Sequence, residues 1–260
     1  MSASVLAAEF HPPSSRDFEL PPLIGDIDWA TKPVLLACLS VVLIAGFFYL
    51  AARRASVVPN KLQFAGEGLY GFVRNGVARD VIGSHDFMKF VPYLVTLFAF
   101  ILVNNVFGII PFIQFPTMSR IAFPTVLAVM SWVIFNWIGL RKQGPFAYFK
   151  NMMFPPGVPK PVYVLLAPIE FVSTVLVRPL TLALRLFANM FAGHLLLLVF
   201  ILGGEYLLVH GGAALKVVSI PAFLLGIVLT FFELLVQVLQ AYIFTLLSAL
   251  YIAGALAEEH

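Results

Sequence analysis

The residues with the most evident chemistry lie between Arg178 and His194, where two arginines, an asparagine and a histidine interrupt a long apolar segment. An arginine stays protonated in proteins, so burial cannot remove its charge. Placing one at the centre of a bilayer costs at least about 2.5–3.5 kcal/mol, which makes an intramembrane arginine a candidate functional residue. Arg185, in the middle of the segment, is therefore the first candidate, and Asn189 and His194 follow it.

A helical reading divides these side chains between two faces. One stripe recurs at steps of three and four residues: Thr174, Arg178, Thr181, Arg185 and Asn189. Because each helical residue turns by about 100°, His194 belongs to the face opposite Arg185. The last apolar segment carries a second stripe: Thr230, Glu233, Gln237, Gln240 and Tyr251. Its one charge between Lys216 and Glu258 is Glu233.

The two segments can pack antiparallel with Arg185 opposite Gln240. At about 1.5 Å per residue, His194 then lies roughly 13 Å from Arg185, and Glu233 lies roughly 10 Å from Gln240 in the same direction. Imidazole and carboxyl groups can both take up and release protons. The arrangement therefore predicts a half-channel that admits protons from one side and ends at a permanent cation.

Several of these polar residues also have ordinary structural explanations. Arg178 could extend its charge to the membrane surface, and Tyr251 could pack at the interface. Asn189 could join helices by hydrogen bonding, as could the pair Asn104 and Asn105 in an earlier apolar segment.

Other functions remain open on these residues. His194 and Glu233 could form a buried ion pair without transport. A self-contained ion or solute transporter could use a midplane site built on Arg185 and Glu233, although such proteins commonly show internal repeats. A membrane enzyme could use His194 and Glu233 as acid and base, but no nucleophile or metal-ligand set accompanies them.

The composition indicates a polytopic membrane protein. Hydrophobic residues make up 61% of the chain and charged residues 11%, against about 45–50% and 25% in soluble domains. The net charge is +3 and the basic residues lie between apolar blocks, which favours membrane topology over nucleic-acid binding. One cysteine, Cys38, excludes an internal disulfide framework. No phosphate-binding loop or metal-ligand spacing occurs, so no nucleotide, metal or other cofactor is predicted.

We predict an all-α protein with about five transmembrane helices in a single membrane domain, residues 33–260, after a polar tail over residues 1–32. The spans are 33–52, 91–112, 121–140, 162–203 and 217–257. The first three match an apolar core of about 30 Å. The mixed apolar and basic segment 55–90 predicts an amphipathic helix at the membrane interface.

The last two spans are about twice the usual length, roughly 60 Å each as single helices. Neither contains a polar turn, and non-helical backbone is not tolerated against lipid. We therefore predict two long, strongly tilted helices that form an antiparallel hairpin through a glycine-rich loop over 204–216. Pro179 should kink the first of them.

The basic residues predict the orientation in the membrane. The links 53–90 and 141–161 hold ten Lys and Arg residues, whereas 1–32, 113–120 and 204–216 together hold four. The positive-inside rule then places the N-terminus outside and the C-terminus in the cytoplasm.

The chain resembles subunit a of the F-type ATP synthases, the ATPase subunit 6 family, in its bacterial form. The resemblance rests on RPLTLALRLFANMFAGH (178–194), on LQAYIFTLLSALY (239–251) and on the segment Asn105–Pro111. The layout of five spans with two long final helices extends it over most of residues 33–260.

The resemblance implies a proton-translocating stator without catalytic activity of its own, in the bacterial inner or plasma membrane. In that family two offset half-channels load and unload the carboxylates of a rotating c-ring, so that proton flow drives ATP synthesis. The implied partners are the c-ring, b-type subunits of the peripheral stalk, the bilayer and protons, with no nucleic acid and no cofactor.

The resemblance also implies roles for individual residues. Arg185 matches the arginine that faces the c-ring carboxylate, and Asn189 and Gln240 match the polar residues beside it. His194 and Glu233 match the two outer half-channel positions, with acid and histidine exchanged as in mitochondrial-type chains. The secondary candidates are Glu170, Arg178, Gln237, Asn105 and Tyr251. Glu170 matches an acid near the cytoplasmic exit, but it lies one residue further from Arg178 than in the family.

Overall fold

The computed structural model describes residues 13–14, 31–53, 56–110, 113–154 and 162–256, and within these ranges it is helical and contains no β-strand. The α-helices are α1 (Lys32–Arg53), α2 (Lys61–Val73), α3 (Asp80–Ile82), α4 (Val91–Val106), α5 (Ala122–Gln143), α6 (Pro145–Met153), α7 (Tyr163–Val172), α8 (Arg178–His210) and α9 (Ala213–Leu256). Short 3-10 turns lie at Phe87–Lys89 and Thr117–Ser119, and π-helical turns lie at Arg74–Arg79 and Ser173–Val177. The all-α prediction is confirmed. Most of the predicted tail, and residues 257–260, lie outside the described ranges.

Four helical segments are long and apolar enough to cross a membrane. They are Lys32–Arg53, Ala122–Gln143, the continuous α7–α8 segment Tyr163–His210 and Ala213–Leu256. A shorter apolar helix, α4, occupies the position of the second predicted span. The chain is therefore a multi-pass membrane protein, as its composition predicts.

The second span is shorter than the sequence suggests, because α4 ends at Val106 rather than near residue 112. The amide of Gly108 donates to the Asn105 carbonyl at 3.0 Å, so the chain leaves the helix in a tight turn. A Cβ atom at position 108 would lie 3.0 Å from Pro116 Cβ. The returning chain thus approaches the glycine closely.

The prediction of a glycine-rich loop over 204–216 is wrong. Helix α8 continues to His210 and α9 begins at Ala213, which leaves Gly211 and Gly212 as the whole connection. A side chain at position 211 would collide with the Leu207 carbonyl oxygen, so the turn requires glycine. Gly204 is helical and faces α9: an added Cβ atom would lie 3.4 Å from Ala222 Cβ.

The segment predicted to be an interfacial helix is largely helical, but part of it is buried in the core. Val73, Val77 and Ala78 are completely buried and belong to the main apolar cluster with residues of α4, α8 and α9. The π-helical turn Arg74–Arg79 carries two of these three side chains. This segment therefore supports the long hairpin in addition to any contact with the membrane surface.

The second basic link contains a helix that the sequence analysis missed. Helix α6 begins at Gly144–Pro145 and lies against the end of α5. Its Tyr148 is buried, and its hydroxyl donates to Asn136 Oδ1 at 2.9 Å. The Tyr148 ring occupies the space where Gly139 would carry a Cβ atom, so α6 is held tightly on α5.

Candidate functional site

The α8–α9 hairpin positions the candidate residues through its antiparallel register. The backbone of Gly193 faces Glu233, since a Cβ atom there would lie 3.5 Å from Cγ, Cδ and Oε1 of the glutamate. Gly226 faces Ile201 nearer the turn. Extended along both helices, this register brings Arg185 level with Ala241, the neighbour of Gln240. The depth relation expected from the sequence is therefore correct to about one residue.

Arg185 and His194 lie on opposite faces of α8, as the helical period predicts. His194 is buried with 6% of its surface exposed, on the same side as Leu186 and Met190. Arg185 is exposed and Asn189 is half-buried. Arg185 forms no ion pair with any carboxylate of the described ranges.

The predicted stripe breaks at its N-terminal end. Thr181 shares the exposed side with Arg185, but Thr174 is buried. The π-helical turn Ser173–Val177, which contains Thr174, changes the helical phase ahead of Thr181. Thr174 consequently turns inward to the core.

Hydrogen bonds link Glu233 to a buried group of hydrogen-bond acceptors. The side-chain amide of Gln237 donates to Glu233 Oε1 at 3.3 Å, and Asn105 Nδ2 on α4 donates to the main-chain carbonyl oxygen of Gln237 at 3.2 Å. These bonds orient both amides. Three other oxygens, Glu233 Oε2, Gln237 Oε1 and Asn105 Oδ1, are buried without a donor among the described residues.

Buried acceptors that lack donors are costly, at about 1–3 kcal/mol each. The group therefore suits species that bring hydrogen-bond donors, such as water, hydronium or a protonated carboxyl group. Asn105 and Gln237, which the sequence ranked second, join Glu233 in this acceptor group. Gln240 lies one turn further along α9 and is also buried.

A second polar site lies at the other end of the hairpin, in a cavity of about 250 Å³. Its polar lining is Glu170, Arg178, Thr174, Tyr251, Tyr148, Gln143 and Asn151; we call it the Glu170 cavity. The Arg178 guanidinium stacks over the Tyr251 ring, 5.4 Å from its centroid. Arg178 and Tyr251 thus line one partly open cavity together, in addition to any role at the membrane surface.

Helix α6 contributes three residues to this cavity that the sequence analysis missed: Tyr148, Asn151 and Met152. Burial raises the pKa of the Tyr148 hydroxyl, and the Arg178 charge partly opposes that effect. The phenol therefore remains a hydrogen-bond donor over the physiological range. The Gly144–Pro145 pair, a common helix start, was the one signal that could have found α6.

The fold and these two sites define a multi-pass membrane protein whose long helical hairpin carries an exposed arginine and separate polar sites on either side of it. The chain matches the family model described as ATP synthase A chain over residues 34–253, and it belongs to this family. It is 53% identical to ATP synthase subunit a of Nocardioides sp., over 96% of this chain and 95% of that one. It is also similar to the subunits a of Pseudarthrobacter chlorophenolicus, at 49% identity over 98% and 96% of the two chains, and of Rhodococcus erythropolis, at 42% over 100% and 96%.

Proposed function

We propose that this chain is the stator subunit that loads and unloads a rotating c-ring through two offset half-channels. Membership of the family indicates a proton-translocating component of the F0 sector. The observation that carries the finer proposal is the position of Arg185. It lies exposed between the buried acceptor group of Glu233 on one side and the Glu170 cavity on the other.

The inlet in this proposal runs past His194 and Glu233. Protons arrive from the outer side, and the acceptor oxygens of Glu233, Gln237 and Asn105 hold the donors that carry them. From Glu233 a proton passes to a ring carboxylate near Gln240 and Asn189. The carboxylate is then neutral and can move into lipid as the ring turns.

Arg185 separates the two half-channels. A permanent cation repels protons that would cross directly, and it attracts a deprotonated ring carboxylate as that group returns. Its exposure on α8 supports this role, because the carboxylate must come from another subunit.

The outlet in this proposal is the Glu170 cavity. A carboxylate, a tyrosine hydroxyl and amide side chains line it, so a proton released by the ring meets polar groups on its way out. The positive-inside rule places this end in the cytoplasm, which orients the N-terminus outside. In the assembled complex the c-ring covers the Arg185 side of the hairpin and b-type subunits contact the remainder of the chain, which catalyses no bond chemistry itself.

Substitution of Arg185 tests the proposal. In membrane vesicles that contain the whole complex, Arg185→Ala should abolish ATP synthesis driven by a proton gradient, because nothing then attracts the ring carboxylate or blocks the leak. Val42→Ala, at an exposed apolar position of α1 outside the hairpin, is the control and should synthesise ATP normally. Synthesis at the control rate by the arginine variant, at equal membrane levels, would refute the proposal.

A further inference from the structure

We propose that Trp132 on α5 is a positioning residue that holds the π-helical turn Ser173–Val177 and thereby keeps both Glu170 and Arg178 on the wall of the Glu170 cavity. The inference deepens the proposed function and rests on it, because the role of the cavity as outlet gives the positioning its consequence.

The hydrogen bonds of the turn show how the tryptophan acts. In a regular α-helix the Arg178 amide would donate to the Thr174 carbonyl, four residues earlier. It donates instead to the Ser173 carbonyl, five residues earlier. The Thr174 carbonyl accepts from the Trp132 indole, with an Nε1–O distance of 3.1 Å. The indole thus replaces the backbone donor that the π-helical turn removes.

Pro179 favours the same irregularity. Proline has no amide hydrogen, so the Val175 carbonyl cannot receive the α-helical bond that residue 179 would supply. Pro179 lies in the first turn of α8, directly after the π-helical turn. Leaving the α-helical pattern at this point therefore sacrifices few backbone hydrogen bonds, and Trp132 stabilises the π-helical turn.

The turn changes which residues share a face. Glu170 and Arg178 are eight residues apart, which in a straight α-helix would separate them by about 80° around the axis. A π-helical turn takes up one additional residue, so the effective interval is seven residues and the separation falls to about 20°. Both side chains line the same cavity. The turn therefore compensates for the extra residue that the sequence carries between them.

The test combines a loss of the donor with a removal of the extra residue. Trp132→Phe keeps the aromatic ring but loses the indole hydrogen bond, and it should lower ATP synthesis by the vesicle-bound complex about three- to tenfold. Deletion of Val175 should leave synthesis within about twofold of the unmodified chain, since seven residues align in a regular helix. The double variant should match the deletion alone. Trp137→Phe, at an exposed tryptophan of the same helix, is the control and should change nothing.

A readout that does not depend on synthesis keeps the two proposals apart. With Cys38 replaced by alanine, maleimide labelling of Glu170→Cys reports whether position 170 still faces the cavity. Trp132→Phe should change the rate at which position 170 is labelled. Deletion of Val175 in the Trp132→Phe chain should return that rate to its value in the chain with Trp132. Normal labelling and synthesis in Trp132→Phe, failure of the deletion to rescue it, or absence of the deletion variant from membranes would each overturn the inference. If Arg185→Ala retained synthesis while labelling still depended on Trp132, the proposed function alone would fail.

Discussion

Gly193 allows a graded test of the inlet, because its backbone lies against the carboxyl group of Glu233. A Cβ atom at position 193 would meet three atoms of the glutamate side chain at 3.5 Å. That distance is ordinary van der Waals contact, so alanine fits without moving Glu233. Valine adds two further carbon atoms on Cβ, for which a close-packed helix interface leaves no space.

The size of the effect follows from the cost of overpacking. Extra carbon atoms in a packed interior cost about 1–3 kcal/mol, which here is the cost of keeping Glu233 in place. Since 1.4 kcal/mol corresponds to a factor of ten, the population with Glu233 in place should fall by about 5- to 150-fold in Gly193→Val. Gly193→Ala should be neutral or slightly stabilising, because alanine is the better helix former by up to about 1 kcal/mol.

ATP synthesis by vesicles under an imposed proton gradient, normalised to the amount of complex in the membrane, measures this effect. Gly46→Val is the control, since a Cβ atom at that position of α1 would meet nothing within 4 Å. It should synthesise ATP at the normal rate. Equal losses in Gly193→Ala and Gly193→Val, or a normal rate in the valine variant at normal membrane level, would refute the placement of Glu233 in the proton path.

Two further pairs of variants separate transport from packing. Asn105→Ala should lower ATP synthesis per complex about tenfold, because it removes a buried amide from the acceptor group. Asn104→Ala loses a hydrogen bond to Ser40 on α1 and should instead lower the amount of the chain in the membrane. Equal synthesis per complex in the two variants would contradict this assignment. Gly139→Ala should destabilise the complex to heat by about 1–3 kcal/mol, because its Cβ atom would overlap the Tyr148 ring. In a chain that already carries Tyr148→Ala, Gly139→Ala should cost little further stability, and additive destabilisation would show that the two residues do not interact.

Predictions from the sequence succeeded where a single helix determines the outcome. The opposite faces of Arg185 and His194 follow from the helical period alone. The near alignment of Arg185 with Gln240 required only an antiparallel hairpin. Errors arose where a contact between segments decides the backbone, as in the loop over 204–216, which is reduced to two glycines because the helices pack closely up to their ends.

The Glu170 cavity is a second feature that the sequence could not predict, because contacts between segments build it. Its residues come from α5, α6, α7, α8 and α9 and from the turn between α7 and α8. No local pattern relates Tyr148, in a link rich in proline and glycine, to Arg178 thirty residues later. The departure of Glu170 from the family spacing was visible in the sequence, but its compensation by a π-helical turn was not.

The sequence by itself determined that the chain is a helical membrane protein and that Arg185 and His194 lie on opposite faces of one helix. These properties depend on hydrophobic length and helical period, which act along one segment at a time. Only the tertiary structure decided that Glu170 and Arg178 line one cavity, because an indole on another helix takes the place of a backbone amide at one carbonyl oxygen there. The hydrogen bond joins two residues that are 42 positions apart in the sequence. The pattern of either segment alone therefore does not predict it.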